Sequence, residues 1–460
     1  MIRAARAGLR SAAAGSAVLL ALAPSAWAIS PPVVDAGVAP PSGSTGPAVP
    51  MSQNVACATT GVIPGTDPAT ASPSQEMLNL AGAWRFSRGE GQTVAVIDTG
   101  VKPGPRLTNL EGGGDYVAGT DGLQDCDGHG TLVAGIIAGQ PGDDGFSGVA
   151  PAAKLIAIRQ TSSRFTPRTD SADPAQARVA VAVASLARAV VHAADLGARV
   201  INISAGACLP ADNDVDQTAL GAALRYAAVE KDAVIVAAAG NAGPTGLSGG
   251  EPCRPNPISG VRGSDDPRNW AGVTSVSIPS WWQPYVLSVG SLTPTGQPSD
   301  FTMTGPWVGI AAPGENIVSV SNGDGGLANG QPNERGQLSS LNGTSYAAAY
   351  TSGVAALVRS RFPELDAAQV IQRLTATAHN GAREPSNIVG AGTLDPVAAL
   401  TWQLPPTRTA TAEPAKIAAP APITPRDHTP RTIAFVGAAA LAAAVAAFAF
   451  AAHRRKDGTQ

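Results

Sequence analysis

Between residues 175 and 238 the chain runs twice through one unit, a helix of apolar spacing followed by a short apolar strand. Residues 175–195 carry Val179, Val183, Leu186, Val190 and Val191 at helical spacing; Gly197 follows as a C-cap, and residues 199–204 read as a strand. Residues 220–229 then repeat the helix and residues 233–238 the strand. Strands that are apolar throughout need cover on both faces, so this alternation calls for a parallel sheet with helices on either side. Residues 93–97, 155–158, 285–291 and 307–311 are further strand candidates, while 160–173 is polar and reads as an exposed loop. Helices are expected over 131–138, from Ser345 to about Phe362, where Pro363 closes it, and over 365–377. Sites in such sheets form at the carboxyl ends of strands, and Asp98, Ser204 and Asn241 all stand just past such ends.

Three segments carry the chemistry: Val94-Ala95-Val96-Ile97-Asp98-Thr99-Gly100, Gly128-His129-Gly130-Thr131 and Asn342-Gly343-Thr344-Ser345-Tyr346-Ala347. Each sets one reactive side chain among small neighbours. A serine hydroxyl is a poor nucleophile at neutral pH and needs a base, which in turn needs a group to orient it. Ser345 is the candidate nucleophile, His129 the base and Asp98 the orienting carboxylate. Taken singly each has a plainer role: a serine opening a helix is ordinarily an N-cap, a lone histidine is ordinarily structural, and an aspartate ending a strand ordinarily caps a turn. Their order along the chain, Asp then His then Ser, is that of subtilisin. Asn241, in Ala237-Ala238-Ala239-Gly240-Asn241-Ala242-Gly243, is the candidate side-chain donor to an oxyanion, beside the backbone N–H of Ser345.

The two ends speak to location. Arg3, Arg6 and Arg10 precede an apolar run and then Ala26-Trp27-Ala28, so residues 1–28 read as a signal peptide cleaved after Ala28. Residues 433–452 contain no charge, and 431–452 is expected to be a transmembrane helix. Arg454-Arg455-Lys456 beyond it would keep the 453–460 tail cytoplasmic, making a single-pass protein of the cell membrane with its bulk on the extracytoplasmic side. Between the ends lie an extension (29–75) rich in Pro, Gly, Ser and Ala, a catalytic domain (76–402) and a proline-rich linker (403–430). With 31 basic against 34 acidic groups, the net charge of −3 offers no basis for a nucleic-acid partner.

Cys57, Cys126, Cys208 and Cys253 all fall in the exported part, where an even number suggests disulfides. Four cysteines allow three pairings. The favoured one joins Cys57 to Cys126, tying the extension to the segment before His129, and Cys208 to Cys253, clamping a long Pro/Gly-rich loop. Zinc is the alternative, but no pair has C-x-x-C spacing, and no metal is expected.

Over residues 80–400 these motifs closely resemble the subtilisin-like (subtilase) family. The resemblance implies a three-layer α/β sandwich around a mostly parallel seven-stranded sheet, with an Asp98/His129/Ser345 triad and an oxyanion donor at Asn241. It further implies a peptide-pairing edge at Ser204-Ala205-Gly206, with Ala238-Ala239-Gly240 as the other wall of the main specificity pocket. One departure is visible: many subtilases have proline four residues after the nucleophile, whereas Ala349 stands here, followed by Tyr350. Together with the cysteine-bearing extension, the linker and the C-terminal span, this resembles the mycosins, membrane-anchored proteases of mycobacterial type VII secretion systems. That resemblance implies a serine endopeptidase acting on protein or peptide substrates and associated with a membrane-embedded secretion complex. It also implies an extension that wraps the domain without acting as a cleaved inhibitor, and a second possible role as a structural cap of the channel. No cofactor is expected; calcium, frequent in subtilases, has no clear ligand run here.

Overall fold

The apolar runs become the strands of one parallel sheet, with helices on both of its faces. The computed structural model describes residues 29–404, apart from 71, 170, 244–252, 259–265, 334 and 382–384, together with helical positions 438, 440, 441, 443–445 and 447. The expected signal peptide, cytoplasmic tail, nearly all of the linker and most of the C-terminal span lie outside the described residues.

The strands are β1 (Thr93–Asp98), β2 (Leu110–Asp115), β3 (Lys154–Arg159), β4 (Val200–Ile203), β5 (Val234–Ala238), β6 (Val286–Leu292) and β7 (Val308–Pro313). They lie in the order β7-β6-β5-β4-β1-β3-β2, and every neighbouring pair is parallel. The helices that matter here are α1 (His129–Ala138), α2 (Pro174–Asp195), α3 (Thr218–Arg225), α4 (Thr344–Arg361) and α5 (Ala367–Ala376).

Strand alternation divides the core in two. Val94, Val96, Val200, Val234 and Val236 pack with α1, α4 and α5, while Ala95, Ile97, Ile201, Ile203 and Ile235 pack with α2 and α3. Ile97, Leu155 and Val200 are inaccessible or nearly so, and burial of side chains this size stabilises by about 1.5–3 kcal/mol each. The result is the three-layer sandwich. Among the described residues, one helix, α2, is long and apolar enough to cross a membrane, yet its apolar side is buried in the core. Asp173 caps it by accepting from the N–H groups of Ala175 and Gln176, with Pro174 in the first turn.

Three details differ from the sequence reading. β2, with the sequence Leu-Glu-Gly-Gly-Gly-Asp, has no apolar alternation to announce it. A Cβ on Gly113 would lie 2.3 Å from Ile156 Cγ2, so the missing side chain is what allows β2 to approach β3. The second helix of the repeat is α-helical only to Arg225 and finishes as a π turn over Tyr226–Glu230. Finally, the expected loop 160–173 contains a short strand, Phe165–Pro167, that pairs antiparallel with Met51–Gln53.

That pairing is one of several places where the extension is bound to the domain. Gly46 N–H donates to the Asp115 carbonyl (2.9 Å), Ala58 N–H to that of Cys126 (2.8 Å) and Gly61 N–H to that of Gly330 (3.0 Å). The extension thus runs from the carboxyl end of β2 to the turn before His129.

Candidate active site

β1 delivers Asp98 to the carboxyl edge of the sheet, and α1 begins there with His129. The two elements meet closely because Gly130 has no side chain: a Cβ there would sit 2.0 Å from the Gly100 carbonyl oxygen. His129 Nδ1–H donates to Asp98 Oδ1 at 2.7 Å, and that oxygen also accepts from the Thr99 N–H at 2.7 Å. On the other side of the ring, the Ser345 hydroxyl donates to Nε2 at 2.9 Å. Ser345 lies in the first turn of α4, where the helix N-terminus favours developing negative charge. All three side chains are buried. A hydroxyl in this setting can lose its proton to the imidazole as it attacks an electrophilic carbon.

The surroundings of His129 are anionic. Burial opposes its protonation, but the carboxylates of Asp98, Asp125 and Asp127 outweigh that and raise its pKa above the usual value. Burial likewise pushes Asp125 up to about 6, against the hydrogen bonds that it accepts. Those bonds come from the hydroxyls of Thr99 (2.9 Å) and Thr131 (2.6 Å) and from the N–H groups of Asp127, Gly128 and Thr131. One buried carboxylate therefore ties the end of β1 to the turn that carries the imidazole.

Asn241 follows β5 and lies against the start of α4. Its amide oxygen accepts from the Thr344 N–H (2.9 Å) and the Thr344 hydroxyl (3.0 Å). With the oxygen so engaged, Nδ2 is on the side of Gly343 and Ser345, 3.4 Å from where a Gly343 Cβ would be. Ser204-Ala205-Gly206 follows β4; the Ser204 hydroxyl donates to the Ser345 carbonyl at 2.9 Å. Ala238 ends β5, with Ala239 and Gly240 just past it, and the Gly240 N–H donates to the Thr344 hydroxyl at 3.2 Å, so this segment also lies against the start of α4. Gly206 is required by contact, since a Cβ would come within 2.6 Å of the Ile278 carbonyl oxygen. Beyond it, Gln160, Ala182, Leu186, Ala205, Gly206 and Ile278 line a shallow recess.

The cysteines pair as favoured, Cys57 with Cys126 and Cys208 with Cys253. The second bond does more than clamp a loop. Cys208 is in the strand just past Gly206, and Cys253 bridges to Ala242 beside Asn241, so the disulfide ties the segment that follows β4 to the one that follows β5. Among the described residues no group of three His, Cys, Asp or Glu side chains is placed to hold a metal.

Sequence alone assigns no role to Thr344, Asp125 or Asp127. Thr344 was visible as the residue before the nucleophile, but its partner Asn241 is 103 positions away. The two aspartates stand four and two residues before His129, a signal that could have been read as acidic support for the base.

The Subtilase family profile (peptidase S8) matches residues 89–392. Mycosin-3 of Mycobacterium tuberculosis (strain ATCC 25618 / H37Rv) is 66% identical over 442 residues, covering 95% of this chain and 96% of that protein. The structure of the MycP3 protease from the type VII (ESX-3) secretion system superposes with a TM-score of 0.78 at 68% identity, covering 82% of this chain and all of that one. A chain of the intact ESX-5 inner membrane complex does so with a TM-score of 0.78 at 48% identity, covering 92% of this chain and all of the other. Fold, motif order and relatives agree: the chain belongs to the subtilase family of serine proteases, in its mycosin branch.

Proposed function

We propose that this chain is a membrane-anchored serine endopeptidase that works within a type VII secretion complex. The observation that carries the catalytic part is the continuous hydrogen-bonded chain from Asp98 through His129 to Ser345, at 2.7 and 2.9 Å. Ser345 Oγ attacks the scissile carbonyl while its proton passes to His129 Nε2; Asp98 holds the ring orientation and stabilises the imidazolium. The tetrahedral oxyanion takes hydrogen bonds from Asn241 Nδ2 and the Ser345 N–H. Collapse gives an acyl-enzyme as the imidazolium returns its proton to the leaving amine, and water then releases the acyl group by the same route. A peptide substrate adds as a strand along Ser204-Ala205-Gly206, its acyl-side residue between that segment and Ala238-Ala239-Gly240. The reaction requires no cofactor.

Anchoring rests on the uncharged stretch 433–452 and the basic cluster after it, and export on the pattern of residues 1–28. Two disulfides suit an oxidising, extracytoplasmic setting. Partnership with secretion components is supported by the relative within the ESX-5 inner membrane complex. The same likeness favours a second reading, in which the chain chiefly stabilises such a complex and proteolysis is secondary.

Labelling of the full-length protein by a fluorophosphonate tests the first reading: Ser345 is modified, and Ser345→Ala abolishes the label. An unlabelled native chain would end it. Complementing a deletion strain with Ser345→Ala separates the readings, since restored secretion favours the structural role and lost secretion favours catalysis.

A further inference from the structure

The segment that follows β3 is held from two sides. It leaves the catalytic rim directly, for the N–H groups of Gln160 and Thr161 donate to the Asp98 carbonyl at 2.8 and 3.3 Å. Asp127, two residues before His129, then accepts from the Ser163 N–H at 2.8 Å and from the hydroxyls of Ser162 and Ser163. Next, the extension pairs with it. Asn54 N–H donates to the Arg164 carbonyl and Arg168 N–H to the Pro50 carbonyl, both at 2.9 Å. Ser52 faces Thr166 midway between these pairs, so antiparallel alternation makes it a hydrogen-bonded pair as well. Asn54 Nδ2 adds a bond to the Thr166 hydroxyl at 2.8 Å, and the Phe165 ring covers the buried Arg159 guanidinium at 4.7 Å.

Gln160, at the head of this segment, shares the recess beyond the specificity pocket with Ala205 and Gly206. We propose that residues 50–54 of the extension are a working part of the substrate cleft: by pairing with residues 164–168 they hold the bank that starts at Gln160 and set the affinity for peptide residues two to four positions before the scissile bond. The physical ground is preorganisation. Without its partner strand the segment would present unpaired backbone N–H and C=O groups on a free edge, and a substrate would have to order it while binding. With the pairing in place that ordering is complete before the peptide arrives. Binding of a longer acyl-side peptide is therefore where the extension is felt, while bond cleavage at Ser345 is not. The proposal rests on the protease reading above and deepens it.

Ser52→Pro, which removes a backbone donor from the pairing, and Asn54→Ala, which removes one side-chain bond, test this in the full-length protein. Matched fluorogenic amides, one dipeptidyl and one tetrapeptidyl with the same final residue, are drawn from a positional library. The expected result is a rise in tetrapeptide KM of about fivefold or more for Ser52→Pro and about twofold for Asn54→Ala, as for loss of a net hydrogen bond. Dipeptide KM, both kcat values and the rate of fluorophosphonate labelling stay unchanged. Equal KM changes for both lengths, no change in either, or no tetrapeptide preference in the unaltered chain would overturn the proposal. If Ser52→Pro does not fold, Asn54→Ala decides by the same criteria. Failure of the unaltered chain to label at all would instead strike the protease reading, and the proposal with it.

Discussion

The Thr344 hydroxyl donates to the amide oxygen of Asn241 at 3.0 Å, and through that contact the residue before the nucleophile aims the amide proposed to hold the oxyanion. Thr344→Val keeps the backbone bond and the shape but removes the hydroxyl. The hydroxyl also accepts from the Gly240 N–H at 3.2 Å, so we expect kcat to fall about fivefold or more, the effect of losing one or two neutral hydrogen bonds at a positioning contact. Asn241→Ala removes the donor itself and should cost about 10²–10³ in kcat, the range known for the corresponding donor of subtilisin, a relative. Steady-state kinetics of both variants decide: an unaltered kcat for Asn241→Ala removes it from the mechanism.

The acidic surroundings of His129 set a pH dependence. Its pKa lies above the usual 6.5 because Asp98, Asp125 and Asp127 outweigh the effect of burial. A general base works when neutral, so kcat/KM should fall as pH drops, with a midpoint above pH 6.5. Asp127→Asn removes one attracting charge and should move that midpoint to lower pH. A midpoint that stays put would show Asp127 to be electrostatically silent.

The same shift has a consequence for stability. A histidine whose folded pKa is raised contributes stability that is fully present below its unfolded pKa and is lost as pH rises through the folded value. Replacing His129 by glutamine should therefore flatten the pH dependence of unfolding around and above pH 6.5. Denaturant titrations of both proteins across that range provide the comparison.

Gly130→Ala tests the close approach of α1 to β1. Its Cβ would fall 2.0 Å from the Gly100 carbonyl oxygen, so backbone has to move where Asp98 and His129 meet. Overpacking of this kind costs about 1–3 kcal/mol or more, and here displacement of the imidazole should also abolish labelling of Ser345. A variant with native melting temperature and labelling would contradict the contact.

The Cys57–Cys126 bond closes a stretch of 69 residues. Chain-entropy arguments give about 4 kcal/mol for a loop of that size, so Cys57→Ser/Cys126→Ser should lower unfolding stability by up to that amount. Chemical denaturation under non-reducing conditions measures it; no loss would mean that the noncovalent contacts of the extension suffice.

Much of the architecture is legible in the sequence. Residues 93–97 and 233–238 announced their strands because continuous β-branched apolar runs mark a sheet buried on both faces. β2 escaped because its packing depends on glycines, and the absence of a side chain at Gly113 leaves no periodic signal. Residues 165–167 escaped for another reason: their strand exists only through a partner at residues 51–53.

Sequence by itself determined the identities and order of Asp98, His129 and Ser345, the small residues around them, and the layering of helices on a parallel sheet. All of these are local patterns, legible within a window of a few turns or one strand. Tertiary structure alone decided that His129 and Ser345, 216 positions apart, stand 2.9 Å from each other, that Asp125 accepts from the Thr99 hydroxyl at the end of β1, and that Thr344 aims Asn241. Such contacts depend on how separate elements are brought together by burial of the two core layers, and no single segment carries a trace of the partner it will meet.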